Sequence, residues 1–314
     1  MNILWSITEH LSGPGTVVTV GTFDGFHLGH QKILERTIQH AVENGLRSLL
    51  LTFEPHPRLV VSTEGAERLK LLTTIDEKIE ILEPSRLNYL VISNFTHAFA
   101  AISAEIFIRE YLVGRFNMKA IVIGQNHTFG RNRQGNVKLL KSLADELEFQ
   151  VIELQPLRIE EENISSTFIR CALNEGRIEQ ANRMLGRPYS MRGKVVEGHK
   201  KGRLLGFPTA NLRSPSQYKL TPKSGIYATK VKVGVEIRES VTYIGDRPTF
   251  SGVEKTTEVH IHDFDQDLYD KEIEVYYYTF LREDAKFANT SELIDQINQD
   301  KKSSIKYFAN GGNL

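Results

Sequence analysis

The stretch Thr16-Val17-Val18-Thr19-Val20-Gly21-Thr22-Phe23-Asp24-Gly25-Phe26-His27-Leu28-Gly29-His30 decides how the first half of this chain folds. Its first five residues are all β-branched, which favours an extended strand. A glycine-rich turn follows. From about Gly29 to Asn44 apolar residues recur at helical spacing, and Gly45 closes the run. Strand, tight turn and helix in direct succession open a βαβ unit. In an open α/β sheet ligands bind beyond the carboxyl ends of the strands, where helix N-terminal amides favour anions. Gly25 and Gly29 let an anion approach the backbone, since no Cβ intervenes. His27 and His30 lie three residues apart, about one helical turn, so both rings can face the same anion. They can donate hydrogen bonds to charge developing on a transferring phosphoryl group. A capped helix start with two surface histidines is the plainer alternative. No P-loop pattern, GxxxxGK followed by Ser or Thr, occurs in the chain.

The alternation continues outward from this unit. Ser48–Phe53, Asn88–Ile92, Lys119–Gly124 and Gln150–Leu154 read as strands. Ser103–Gly114 and Val137–Glu148 read as helices, and Ser165–Asn174 and Ile178–Leu185 as two short ones. That order predicts an α/β domain with a Rossmann-like parallel sheet covered on both faces. The pattern changes at Gly186-Arg187-Pro188. Beyond it Tyr189–Glu197, Ile226–Val235, Ser240–Ile244, Thr257–His262 and Glu272–Phe280 read as short strands separated by Gly and Pro, the pattern of an antiparallel β-barrel or sandwich. A terminal helix is expected over about 291–298. The chain therefore divides into residues 1–186 and 187–314.

Length and composition agree with two domains. The chain has 314 residues, 40% hydrophobic and 25% charged. Lys+Arg and Asp+Glu each number 39, so the net charge is zero, which argues against a nucleic-acid partner. The single cysteine, Cys171, excludes an internal disulfide framework and a cysteine metal cluster, and suits a reducing cytoplasmic compartment. It reads as a small packed residue. The start, Met1–Trp5, is too short for a signal peptide, and no apolar run approaches the roughly 18 residues of a membrane span.

A second set of residues opens the C-terminal half. The run from Gly193 to Asn211 carries glycines at Gly198, Gly202 and Gly206, spaced by four, and a basic cluster of Lys200, Lys201 and Arg203. Bare backbone there can approach a nucleotide. Thr209 and Asn211 offer hard oxygen ligands suited to Mg²⁺, and Pro208 fixes the turn that presents them. A solvated basic hairpin is the plainer reading of the two lysines alone. Glu258 lies on the predicted strand Thr257–His262. His260 and His262 alternate with it on one strand face, where a metal site is less expected than ordinary packing.

Taken together these motifs resemble one family. His27-Leu28-Gly29-His30 matches the HxGH signature of the nucleotidylyltransferase superfamily, and Ile164-Ser165-Ser166-Thr167-Phe168-Ile169-Arg170 matches its ISSTxxR signature. Thr52-Phe53-Glu54-Pro55-His56-Pro57 and Phe129-Gly130-Arg131-Asn132-Arg133-Gln134-Gly135 resemble motifs of the bacterial FAD synthetase branch. The string through Gly206-Phe207-Pro208-Thr209-Ala210-Asn211 resembles the riboflavin kinase signature, and the likeness continues through Gly225–Ala228, Ile244–Phe250, Glu258–Phe264, Asp267–Tyr269 and Phe280–Arg282. The whole resembles the bacterial bifunctional riboflavin kinase/FMN adenylyltransferase (FAD synthetase) family.

The resemblance implies an N-terminal adenylyltransferase that joins FMN to ATP, releasing FAD and pyrophosphate. It implies a C-terminal kinase that turns riboflavin and ATP into FMN and ADP. It implies that Gly21, Phe23, Asp24, Gly25, His27, Gly29, His30, Ser165, Ser166, Thr167 and Arg170 bind ATP and its phosphates. Phe53, Pro55, His56, Pro57, Asn126 and Phe129 are implied for the flavin or nucleotide. In the C-terminal half it implies Gly198, Lys201, Gly202, Gly206, Phe207, Pro208, Tyr227 and Arg282 for ATP or flavin. Thr209 and Asn211 are implied for Mg²⁺, and Glu258 as the base for the riboflavin 5′-hydroxyl. Two departures stand out: Asn126-His127 where the family often has Asp-Phe, and Asp270 where it usually has Gly. Asn126 keeps hydrogen-bonding capacity but loses a charge, and Asp tolerates turn conformations. Two other readings remain open: a chain in which only the riboflavin kinase half is active, and a flavin-sensing regulator without turnover.

Overall fold

The computed structural model describes residues 1–61, 69–125, 127–159, 162–198, 201–249 and 252–312, with backbone alone at 201, 203, 247–249 and 252–254. Asn126, His199, Lys200 and Phe250 lie outside the described residues, as does the Lys201 side chain. The chain forms two compact units, Met1–Ser165 and Ser166–Leu314.

The first unit is built on strands β1 (Asn2–Leu4), β2 (Thr16–Val20), β3 (Arg47–Glu54), β4 (Tyr89–Asn94), β5 (Met118–Gly124) and β6 (Gln150–Leu154). They form one sheet in the order β1-β4-β3-β2-β5-β6, with every pairing parallel. β2 is buried along its whole length, and Leu49, Leu50 and Leu51 of β3 are fully enclosed. Strands covered on both faces read as continuous apolar runs rather than alternating ones, which is why these two were legible. The chain winds from β2 towards β3 and β4 on one side, then to β5 and β6 on the other. The strand order thus reverses between β2 and β5, the position where open α/β sheets form their binding crevice.

Helix α1 (Leu28–Glu43) follows β2 directly. It is followed in the unit by α2 (Pro57–Val61), α3 (Ile75–Leu82), α4 (His97–Ala100), α5 (Ala104–Ile106) and α6 (Val137–Ala144). α3 starts with a reciprocal capping box between Thr74 and Glu77. α5 runs into a π-helical segment, Phe107–Arg115, where Phe116 N–H donates to the Tyr111 carbonyl five residues back. The expected helix over 103–114 is therefore partly π-helical. A small hairpin, β7 (Arg158–Ile159) and β8 (Glu162–Asn163), ends the unit.

The second unit begins with α7 (Ser166–Asn174) and α8 (Ile178–Leu185). Asn182 of α8 donates to the Tyr277 carbonyl at 2.8 Å and accepts from Tyr189 N at 2.7 Å, tying the helix into the barrel. Cys171 is exposed, contrary to the packed position expected of it. α7 buries Ile169, Ala172 and Leu173, which leaves Cys171 on the outer face, bonded to Glu175 at 3.2 Å. That carboxylate pushes the thiol above its ordinary range.

The barrel is closed: β10 (Ala210–Arg213), β13 (Gly252–Ile261), β12 (Glu236–Thr249), β11 (Gly225–Val233), β14 (Glu272–Arg282) and β9 (Tyr189–Val196), with β9 returning to β10. All of its pairings are antiparallel. Closure removes the sheet edges that an open sheet must protect. Helix α9 (Lys201–Leu204) sits in the loop between β9 and β10, and α10 (Thr290–Ala309) ends the unit. Asp270 adopts φ 62°, a left-handed conformation for which glycine or a short polar residue is suited, and its carboxylate pairs with Lys194. Among the described residues, no helix is long and apolar enough to cross a membrane.

Candidate functional site

The first site lies at the sheet reversal. Gly21 N–H donates to Leu51 O at 3.0 Å, so the turn after β2 starts against β3. Phe23 and Phe26 then take φ of 46° and 38°, a region costly for side-chain-bearing residues. His27 is the N-cap of α1: its Nδ1 accepts from His30 N–H at 3.3 Å. That bond places the proton of the neutral His27 ring on Nε2, ready to donate to an oxyanion. The His27 and His30 rings stack, with centroids 3.6 Å apart and planes within 16°. Gly29 leaves room for the stack, because a Cβ there would lie 3.2 Å from the His27 ring, tighter than ordinary contact. Phe23 supports the pair from below, edge-on to His30 at 5.0 Å.

Asp24 is buried at the turn. Its Oδ1 accepts from Leu72 N–H at 2.9 Å and Thr73 N–H at 3.0 Å. Gly25 N–H donates to Thr73 Oγ1 at 3.0 Å. Within the turn, the stacked histidines stand at the start of α1, and the Asp24 carboxylate is bonded to the Leu72 and Thr73 amides.

Phe53 and Phe129, nominated separately from the sequence, join one aromatic wall. Phe53 meets Phe95 at 5.5 Å and Phe99 at 5.8 Å; Phe99 meets Phe107 at 6.0 Å; Phe107 meets Phe129 at 5.8 Å. His127 stacks on Phe129 at 5.8 Å. Its ring is half-buried with Nε2 withdrawn from solvent, and burial lowers its pKa to about 4, so it is neutral near pH 7. Pro57 opens α2, and His56 Nδ1 accepts from Arg58 N–H at 3.2 Å after Pro55. The rings from Phe53 to Phe129 meet edge-on or tilted and form one aromatic cluster in which Phe107 is buried.

Ser165 closes the first unit, while Ser166, Thr167 and Arg170 belong to the first turns of α7. Thr167 is exposed and Arg170 half-buried.

The second site gathers oxygen atoms at one end of the barrel. Asn211 and Glu258 face each other across β10 and β13, and Thr209, two residues before Asn211, follows the same side of the chain. Thr209 Oγ1 donates to Glu258 Oε2 at 3.2 Å. The hydroxyl proton is thereby used, and the oxygen's lone pairs remain for a cation. A Cβ at Gly198 would overlap the Asn211 amide, and one at Gly202 would overlap the Phe207 carbonyl and come within 3.3 Å of Thr209 Oγ1. Bare backbone is therefore required where the loop closes over these oxygens. Gly206 takes φ 84° in the turn that leads to Phe207 and Pro208.

His260 holds that turn from behind. Its Nδ1 bonds the Pro208 carbonyl at 3.0 Å, and its ring meets Phe207 edge-on at 5.6 Å. His262 lies past the end of β13 and bonds Ser304 of α10 at 3.4 Å. The two histidines thus pack, and among the described residues no group of three or more His, Cys, Asp or Glu is arranged to hold a metal. Tyr227 is fully buried, packed edge-on to Tyr277 at 5.4 Å and Phe280 at 5.2 Å, and its hydroxyl donates to the Lys223 carbonyl. Arg282 makes a two-pronged contact with Asp300 at 2.8 and 2.7 Å, anchoring α10 to β14.

Sequence reasoning missed Lys78 and the segment around it. Lys78 is buried, donating to the Thr22 carbonyl at 2.7 Å and Thr52 Oγ1 at 3.0 Å. The Thr74-x-x-Glu77 capping signal was present and would have placed the helix that carries it. A cavity of about 430 Å³, lined by residues such as His40, Asn44, Lys119 and Glu148, lies at the opposite end of the sheet and contains none of these groups.

Comparison with known proteins matches both units. The sequence model described as FAD synthetase matches residues 10–168, and that described as riboflavin kinase matches residues 185–308. A bifunctional riboflavin kinase/FMN adenylyltransferase of Bacillus subtilis is 36% identical over 300 residues, covering 94% of this chain and 93% of its own. The Escherichia coli K12 protein of the same description is 34% identical over 295 residues, covering 94% and 93%. A crystal structure from Streptococcus pneumoniae, described as a macrolide-efflux protein, superposes with TM-score 0.88 at 29% identity, covering 96% of this chain and 98% of that one.

Proposed function

The chain belongs to the bifunctional riboflavin kinase/FMN adenylyltransferase family, and from that premise we propose how its residues divide the work. It is a transferase of flavin cofactor synthesis: riboflavin is phosphorylated to FMN by ATP in the C-terminal part, and FMN is adenylylated to FAD by ATP in the N-terminal part. Residues 1–186 carry the adenylyltransferase and 187–314 the kinase, a division supported by the spans of the two family matches. ADP leaves the kinase and pyrophosphate the adenylyltransferase. Cytoplasm suits a chain with one free thiol.

In the N-terminal part, the stacked pair His27 and His30 meets the ATP phosphates at the start of α1. The capped, strained turn supports this role, since it fixes Nε2–H of His27 and the helix amides before any anion arrives. Preorganised donors of this kind stabilise charge that grows on the α-phosphate as the flavin phosphate attacks. The wall from Phe53 to Phe129 takes the flavin ring. Ser165, Ser166, Thr167 and Arg170 are assigned to phosphate from their motif.

In the C-terminal part, Glu258 takes the proton from the riboflavin 5′-hydroxyl as that oxygen attacks the γ-phosphate. Thr209 and Asn211 hold Mg²⁺. Their hard oxygens, beside a carboxylate and roofed by the bare backbone of Gly198 and Gly202, fit that ion. When bound, Mg²⁺ neutralises phosphate charge. The turn of Gly206, Phe207 and Pro208, braced by His260, shapes the wall beside it.

The observation that carries the kinase assignment is the Thr209–Glu258 contact opposite Asn211. Incubation of the chain with riboflavin, ATP and Mg²⁺, followed by chromatography of the flavins, tests the whole reading. FMN followed by FAD is expected, and neither is expected when Mg²⁺ is removed by chelation. FMN without FAD would overturn the N-terminal assignment.

A further inference from the structure

A lysine ammonium is rarely enclosed, because its desolvation costs several kcal/mol unless it is paired. Lys78 of α3 is nonetheless 5% exposed. Its Nζ donates to the Thr22 carbonyl at 2.7 Å and to Thr52 Oγ1 at 3.0 Å, and Thr52 Oγ1 itself donates to the Thr22 carbonyl at 3.2 Å. Asp24 and Glu54 are its charge partners, and Asp76 faces Glu54. Burial lowers the Lys78 pKa to about 8 against the pull of both carboxylates, and burial raises that of Glu54.

The carbonyl that Lys78 grips belongs to the residue just before Phe23, which sits at φ 46°. Left-handed conformations at Phe23 and Phe26 are costly, and persist only where surrounding contacts over-determine them. Besides Thr52 of β3, the contacts come from the segment 72–78. Leu72 and Thr73 amides hold Asp24, Thr73 Oγ1 holds Gly25, and Lys78 holds Thr22. The turn that ends at the His27 cap is therefore clamped at three points, Thr22, Asp24 and Gly25.

We propose that Lys78 is a positioning residue for adenylyl transfer, whose grip on the Thr22 carbonyl keeps the Thr22–Gly25 turn in the strained form that sets His27, His30 and the α1 N-terminus against the ATP phosphates. This rests on the adenylyltransferase reading of that site. Lys78 touches no substrate; it acts through the turn. Without it, the turn relaxes and the ATP-binding form becomes one of several, so apparent ATP affinity falls by the fraction lost.

The test is steady-state kinetics of FAD formation from FMN in the full chain, with ATP and FMN varied separately. Lys78→Met is expected to raise KM for ATP about 10-fold while KM for FMN stays within about twofold. Riboflavin phosphorylation by the same preparation stays at the unaltered rate. A role confined to stability would lower kcat through loss of active protein with both KM values unchanged, and that result overturns the proposal. Should Lys78→Met fail to fold, Thr52→Val decides, since it removes one acceptor and keeps the shape. A rise of about threefold in KM for ATP is expected, and an unchanged KM overturns the proposal. Absence of FAD formation in the unaltered chain would overturn the adenylyltransferase reading and this proposal together, a failure recognisable because it precedes any substitution.

Discussion

Thr209 Oγ1 donates to Glu258 Oε2 at 3.2 Å, across a strand pair in which Asn211 faces Glu258 directly. The hydroxyl orients the carboxylate, and the carboxylate consumes the hydroxyl proton, so a proposed base and a proposed cation ligand are held as one unit. Glu258→Gln keeps the shape and removes the proposed base. General base catalysis contributes about 10²–10⁴-fold, so riboflavin phosphorylation is expected to fall by at least about 100-fold. FAD formation from supplied FMN stays at the unaltered rate. Initial rates of the two half-reactions measure both, and normal phosphorylation by the Gln variant would exclude Glu258 as the base.

The Gly198 backbone and the Asn211 amide are in such close approach that a Cβ cannot fit between them. Gly198→Ala must push Asn211 aside, at about 1–3 kcal/mol for forcing extra volume into a packed site. Riboflavin kinase activity is expected to need more Mg²⁺ for half-maximal rate, with FAD formation from FMN untouched. A Mg²⁺ titration of the two half-reactions reads this directly. An identical Mg²⁺ requirement in variant and parent would remove Asn211 from the cation site.

His262 gives the second unit a pH-dependent seam. Burial lowers its pKa to about 4, with His260 and Lys301 adding to the effect and Asp263 opposing it. The folded pKa lies below the unfolded value near 6.5, so between those values the unfolded chain binds more protons and stability is lost as pH falls. Replacing His262 by Gln removes that titration. The stability difference between parent and His262→Gln is expected to shift against the parent, by on the order of 3 kcal/mol, between pH 7 and pH 4. Urea unfolding at the two pH values measures it. A difference that stays constant with pH would show that the ring is not held neutral.

The parts of this account that were legible in the sequence share a physical cause. β2 and β3 are buried on both faces, so Val17–Val20 and Leu49–Leu51 announce themselves as apolar runs. β1 is three residues long and shows no such run. β12 extends over Glu236–Thr249, well beyond 240–244, because antiparallel pairing holds polar Glu236, Arg238 and Glu239 opposite β11 as firmly as apolar residues. α10 continues to Ala309, beyond 298, because its later turns bury Asp300 and Ser304, polar residues that break an apolar pattern but are bonded to Arg282 and the Ser240 carbonyl.

The sites divide in the same way. His27, His30, Thr209, Asn211 and Glu258 were singled out because their motifs mark them. Lys78 was not, since a lysine on a short amphipathic helix ordinarily points to water, and only its partners Thr22 and Thr52, 56 and 26 residues away, reveal that it turns inward. Asp24 stands in the motif, but the sequence does not show that its Oδ1 accepts from the Leu72 and Thr73 amides, 48 and 49 residues away.

The central claim is that two separate sets of residues perform two successive transfers in one chain. The measurement that tests it most directly is chromatography of flavins formed from riboflavin, ATP and Mg²⁺ by the His30→Ala chain. Loss of the second ring of the stacked pair is expected to stop the reaction at FMN, which accumulates at the unaltered rate while FAD falls by about 100-fold or more. Equal loss of FMN and FAD, or FAD formed at the unaltered rate, would contradict the account.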